Sequence, residues 1–60
     1  MKQSEMIKLL KQNGFQIKRE GKEHTIYWNP ETKQEVQLPR SKKELRTGTA
    51  NRILKDAGLK

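Results

Sequence analysis

The sequence predicts an α+β fold of order α-β-β-β-α, a three-stranded antiparallel sheet with two helices on one face. Three observations lead there. Apolar residues recur at helical spacing near both ends, three short runs between them alternate or are rich in β-branched and aromatic side chains, and turn residues separate the runs. The apolar content is thin, 30% hydrophobic residues with a mean hydropathy of -1.15, enough to cover one face of a small sheet.

The first helix is expected to begin at Ser4 as N-cap, with Glu5 in its first turn and Met6, Ile7 and Leu10 on one side. Asn13-Gly14 supplies a left-handed stop, and Phe15 can fold back on the last turn. Phe15 to Glu20 alternates at its start and reads as the first strand. Glu20-Gly21-Lys22-Glu23 then reads as a type II′ hairpin turn with Gly21 at its first central position. His24 to Trp28 is the second strand, Asn29-Pro30-Glu31-Thr32 a type I turn, and Gln34 to Leu38 a third strand ended by Pro39. Arg40 to Arg46 is a basic connector in which Leu45 is the expected anchor. The second helix follows, capped by Thr47 or Thr49, with Ala50, Ile53, Leu54 and Ala57 on one face and Gly58 closing it.

Sixty residues allow a single domain, 1–60, which buries only about 60% of the surface its unfolded chain exposes. An interior cofactor pocket is not expected at this size, so no cofactor is anticipated and a shallow surface site is. The chain has no cysteine, which excludes disulfides, thiolate metal sites and a cysteine nucleophile. No run approaches a membrane span and Met1-Lys2-Gln3-Ser4 lacks the apolar run of a signal peptide, so a cytoplasmic protein without membrane contact is expected. The net charge of +7 suits a polyanionic partner. Residues 1–38 hold seven basic and five acidic side chains, residues 39–60 seven and two, so the surplus lies in the C-terminal third. A solvated surface that binds nothing specific is the alternative.

His24 is the only histidine, and imidazole is the usual proton carrier at neutral pH. Opening a strand just after a turn, it can face solvent and a substrate; a structural strand histidine is the bland alternative. One histidine without cysteine supplies one of about four zinc ligands, so no metal site is expected. Glu20, Glu23, Glu31 and Glu35 flank turns and read as solvated. Gly48-Thr49 stands at the start of the second helix, where exposed amides can meet a phosphate. Arg40, Lys42, Lys43 and Arg46 lead into it, and with Lys22 in the turn before His24 they complete the candidate RNA-binding set. Tyr27 and Trp28 point to opposite faces, so one is expected to be exposed, to stack on a base or to meet a protein partner.

The order and spacing of several pieces resemble one family. They are Leu10 with Gly14-Phe15, His24 five residues after Arg19, Pro30 after the second strand, Pro39-Arg40 after the third, Glu44-Leu45, Gly48-Thr49, and the tail from Ile53 to Leu59. Over Ser4 to Leu59 the chain resembles HicA, the toxin of bacterial HicAB toxin–antitoxin systems. That resemblance implies a double-stranded RNA-binding-domain-like fold, ribosome-independent cleavage of messenger RNA, neutralisation by a HicB-type antitoxin, and a catalytic role for His24. Two departures stand out. Lys22 and Glu23 occupy positions where the family commonly has glycine and a small polar residue, and Ser41 follows Arg40 where many members carry a second histidine.

The expected chemistry is attack of a ribose 2′-hydroxyl on the adjacent phosphate, with His24 moving the proton and cations stabilising the added charge. The rival from another class is a non-catalytic RNA-binding module of the same fold; a purely protein-binding basic domain is a third reading. The expected partners are messenger RNA and an acidic antitoxin that covers the basic surface.

Overall fold

The computed structural model describes residues 1–60 and has the expected order. The elements are α1 (Gln3–Gln12), β1 (Gln16–Glu20), β2 (His24–Trp28), β3 (Glu35–Pro39) and α2 (Thr47–Asp56). The strands form one antiparallel sheet in the order β1-β2-β3, which makes β2 central and leaves β1 and β3 as edges.

The two-residue period of a strand decides what is buried. Thr25 and Tyr27 of β2, with Val36 and Leu38 of β3, are buried, whereas His24, Ile26, Glu35 and Gln37 fall on the alternate, open face. Met6 and Leu10 of α1 and Ala50 and Ile53 of α2 pack with the buried strand residues, and Phe15, Leu45 and Ala57 complete a core of ten side chains. Tyr27 is therefore the core member of the aromatic pair and Trp28 the half-buried one. Leu45 holds the connector to the body as expected, and its N–H donates to the Met1 carbonyl at 2.7 Å. No helix is long and apolar enough to cross a membrane.

Both helices stop in the same way. Gly14 has φ +87°, the Phe15 N–H reaches the Leu10 carbonyl at 3.0 Å and the Gly14 N–H the Lys11 carbonyl at 3.2 Å. Gly58 has φ +74°, with Leu59 to Leu54 at 2.8 Å and Gly58 to Lys55 at 3.0 Å. These are paired Schellman bonds, in which a left-handed glycine lets its own amide and the next one satisfy carbonyls of the last turn.

The helix starts correct the sequence reading. Neither Ser4 nor Thr47 or Thr49 is a cap: the N-cap positions are Lys2 and Arg46, and neither side chain bonds a first-turn amide. At α1 a tertiary partner does the work instead, because Lys2 bridges Glu44 and the Gln3 N–H donates to the Lys43 carbonyl at 2.8 Å. A first-turn donor satisfied by the connector needs no side-chain cap.

The first hairpin is also corrected. Strand β1 begins at Gln16, after the buried Phe15, and the register slips between Ile17↔Tyr27 and Arg19↔Ile26, so Lys18 is the extra residue of a β-bulge. The bulge displaces the turn. Gly21 becomes a flanking residue that donates to the His24 carbonyl at 2.7 Å, Lys22 and Glu23 stand at the tip, and Gly21 has no positive φ, so the type II′ turn is not formed. In the second hairpin the loop runs from Pro30 to Lys33, whose N–H donates to the Asn29 carbonyl at 2.7 Å, and Lys33 adopts φ 66°. Asn29 is buried with both polar atoms of its side chain bonded: Oδ1 accepts from the Glu31 N–H at 2.9 Å, and Nδ2 donates to the Asn13 carbonyl at 3.1 Å.

Candidate functional site

His24 is exposed at the start of the central strand, where open-face position and turn coincide. Two neighbours set its backbone. Opposite it on β3 is Pro39, whose missing N–H is harmless on an edge strand, and across the turn is Gly21. A Cβ on Gly21 would lie 2.9 Å from the His24 carbonyl oxygen, so this approach requires glycine.

Three shallow depressions meet at His24. The largest, about 520 Å³, runs between the turn (Glu23, His24), the connector (Ser41, Lys42, Glu44) and the start of α2 (Arg46, Thr49). A second, about 390 Å³, continues from His24 along α2 past Thr49, Arg52 and Asp56, facing Gln37 of β3. A third joins His24 to Lys22 and Arg19 on the other side of the turn.

The structure therefore brings Lys22, Lys42, Arg46 and Thr49 to the depressions around His24. Lys43 lies elsewhere, in a hollow with Lys2, Gln3 and Ser4 at the start of α1, and Gly48 lines none of them. The Arg40 side chain is turned to the hairpin, where its Nη1 donates to the Gly21 carbonyl at 2.7 Å. Two cations outside the candidate binding set join the site: Arg52, three residues after Thr49 and so on the same face of α2, and Arg19. The i, i+3 spacing from Thr49 was the available signal for Arg52.

The cations of the site stand outside ion pairs, although Glu23, Glu44, Glu35 and Asp56 line the same depressions. The only ion pairs in the chain join the N-terminal ammonium to Glu44 at 2.8 Å and Lys18 to Glu35, so Lys22, Lys42, Arg46 and Arg52 have no carboxylate partner. Glu44, the one acid within the connector, is itself engaged with an ammonium. Glu23 is the remaining acid of the main depression, at the turn position where it opposes an anion. No cluster of three or more His, Asp or Glu side chains occurs to hold a metal ion. Trp28 is capped by its own chain, with the Lys18 and Lys33 ammonium groups 5.2 and 5.3 Å from its ring centre.

Fold and site together define a class: a small basic α-β-β-β-α domain with one exposed imidazole at the junction of cation-lined grooves. Residues 4–59 match the family described as HicA toxin of bacterial toxin–antitoxin systems, and the chain belongs to that family. It is thus a toxin domain of a toxin–antitoxin family, which implies an antitoxin partner in general. No curated protein matches the chain.

Proposed function

We propose that the chain is a ribosome-independent, metal-independent endoribonuclease that cleaves messenger RNA in the cytoplasm and is neutralised by an acidic HicB-type antitoxin. The observation that carries this is the exposed His24 imidazole at the meeting point of grooves lined by Lys22, Lys42, Arg46 and Arg52. Those cations suit an RNA backbone, and the first amides of α2, uncapped by Arg46, add donors on the same side as Thr49.

In this mechanism His24 accepts the proton of a ribose 2′-hydroxyl as its oxygen bonds the adjacent phosphorus. The bond to the 5′-oxygen of the next nucleotide breaks, and that oxygen takes a proton from water or from the imidazolium just formed. The products are a 2′,3′-cyclic phosphate and a 5′-hydroxyl. Arg46 and Lys42 stabilise the extra negative charge that the phosphorane carries. With a single imidazole in the site, one group serves both proton transfers in sequence or shares them with water, and turnover is slow.

The acidic antitoxin covers the same cationic grooves and adds buried surface that a sixty-residue chain lacks. Labelled RNA incubated with the purified protein in EDTA tests the reading: fragments ending in cyclic phosphate are expected. An intact, shifted band would instead identify a non-catalytic RNA-binding module.

A further inference from the structure

Arg40 falls among the connector cations in the sequence, yet its contacts point inward to the His24 turn. Its Nη1 donates to the Gly21 carbonyl at 2.7 Å while its backbone N–H donates to the Glu23 carbonyl at 2.9 Å. One residue thus grips the tip of the hairpin on both sides. Gly21 in turn donates to the His24 carbonyl at 2.7 Å and packs against it as only a glycine can. Arg40 is itself held from behind, because the Gln3 side chain donates to the Pro39 carbonyl and, at 3.2 Å, to the Arg40 carbonyl. Pro39 is the residue facing His24 across the sheet.

We propose that Arg40 is a positioning residue: it ties the turn to the end of β3 and so sets where His24 presents its imidazole, rather than binding the RNA phosphate itself. The proposal rests on the nuclease reading of His24. The tie needs a guanidinium. Its planar fork reaches the Gly21 carbonyl while keeping its other donors solvated, and a lysine ammonium does not reproduce that geometry. The contact is solvent-exposed, so it adds little to global stability, whereas a displacement of ~1 Å at a reacting group costs about a hundredfold in rate.

The test compares wild type, Arg40→Ala and Arg40→Lys by single-turnover cleavage at saturating labelled RNA, by RNA affinity across a salt series, and by NMR of the Gly21 amide and the His24 ring. Both variants are expected to lose about tenfold or more in cleavage rate. They should keep wild-type affinity, salt slope and melting temperature, with faster Gly21 amide exchange and shifted His24 ring signals. The proposal is overturned if Arg40→Lys restores cleavage while Arg40→Ala weakens binding and lowers the salt slope by about one, the behaviour of a phosphate ligand. It is equally overturned if melting temperature, binding and cleavage fall in parallel, or if Gly21 exchange and the His24 ring are unchanged in both variants. Should wild type cleave nothing, the nuclease reading falls separately, and the NMR readout alone decides whether Arg40 positions the ring.

Discussion

Two faces of one strand divide the labour in this molecule. On β2, Thr25 and Tyr27 are buried under the helices with Val36 and Leu38, while His24 and Ile26, one residue out of phase, face the open side with Gln37. The covered face is apolar, draws on every element except β1 and sets the fold; the open face and its rim hold Lys22, Lys42, Arg46 and Arg52, none of them in an ion pair, and carry the proposed chemistry. In so small a domain the sheet is one layer deep, so stability and activity sit a single peptide unit apart. Substitutions on the two faces should therefore have separable effects.

The largest effect belongs to the covered face. Leu38→Ala empties one of the three most deeply buried positions and should cost about 2–5 kcal/mol. That approaches the whole stability of a core this small, about 3–5 kcal/mol, so circular dichroism should find the variant largely unfolded at 37 °C; a cooperative melt near that of wild type would break the division. Next is Asn29→Ala, which orphans the Asn13 carbonyl and the Glu31 amide at the junction of α1 and the second hairpin. A loss of about 1–3 kcal/mol in urea unfolding is expected.

Gly21→Ala sharpens the comparison at the rim. Its Cβ would press on a backbone oxygen that cannot swing aside, so the turn must shift and cleavage should fall more than stability does. Equal losses in both would assign Gly21 to the fold alone. The smallest effect is a pH dependence. Burial, with a lesser contribution from the Glu20 carboxylate, raises the Tyr27 phenol above its ordinary value of 10.0. The folded state thus prefers the neutral phenol: its contribution to stability is complete below pH 10.0 and is lost as pH rises through the folded value. Tyr27→Phe should flatten that alkaline slope in pH-dependent unfolding, and an unchanged slope would remove Tyr27 as its source.

What the sequence disclosed and what it concealed follow from range. The helix stops at Asn13-Gly14 and Gly58, the alternation of β2 and β3, and the anchoring of Leu45 depend on local conformation or on period, and all were legible. The bulge at Lys18 was not, because it exists only in the pairing of β1 with β2, and it moved Gly21 from the tip to the flank of its turn. The start of α1 escaped for a similar reason: the Gln3 amide finds its acceptor forty residues away, at Lys43, so no capping side chain marks it. His24 and the connector cations Lys42 and Arg46 were legible as site candidates from residue type and place. Arg52 was marked only by its helical spacing from Thr49, and the inward turn of Arg40 required the packing of the hairpin to be seen.

The division of β2 is tested most directly by measuring cleavage of labelled RNA by His24→Ala, at a concentration where anisotropy shows the RNA bound and circular dichroism shows the protein folded. An exposed side chain should cost no more than about 0.5 kcal/mol of stability, so the account predicts a folded, RNA-bound protein that yields no fragments. Cleavage at the wild-type rate by that variant would contradict it.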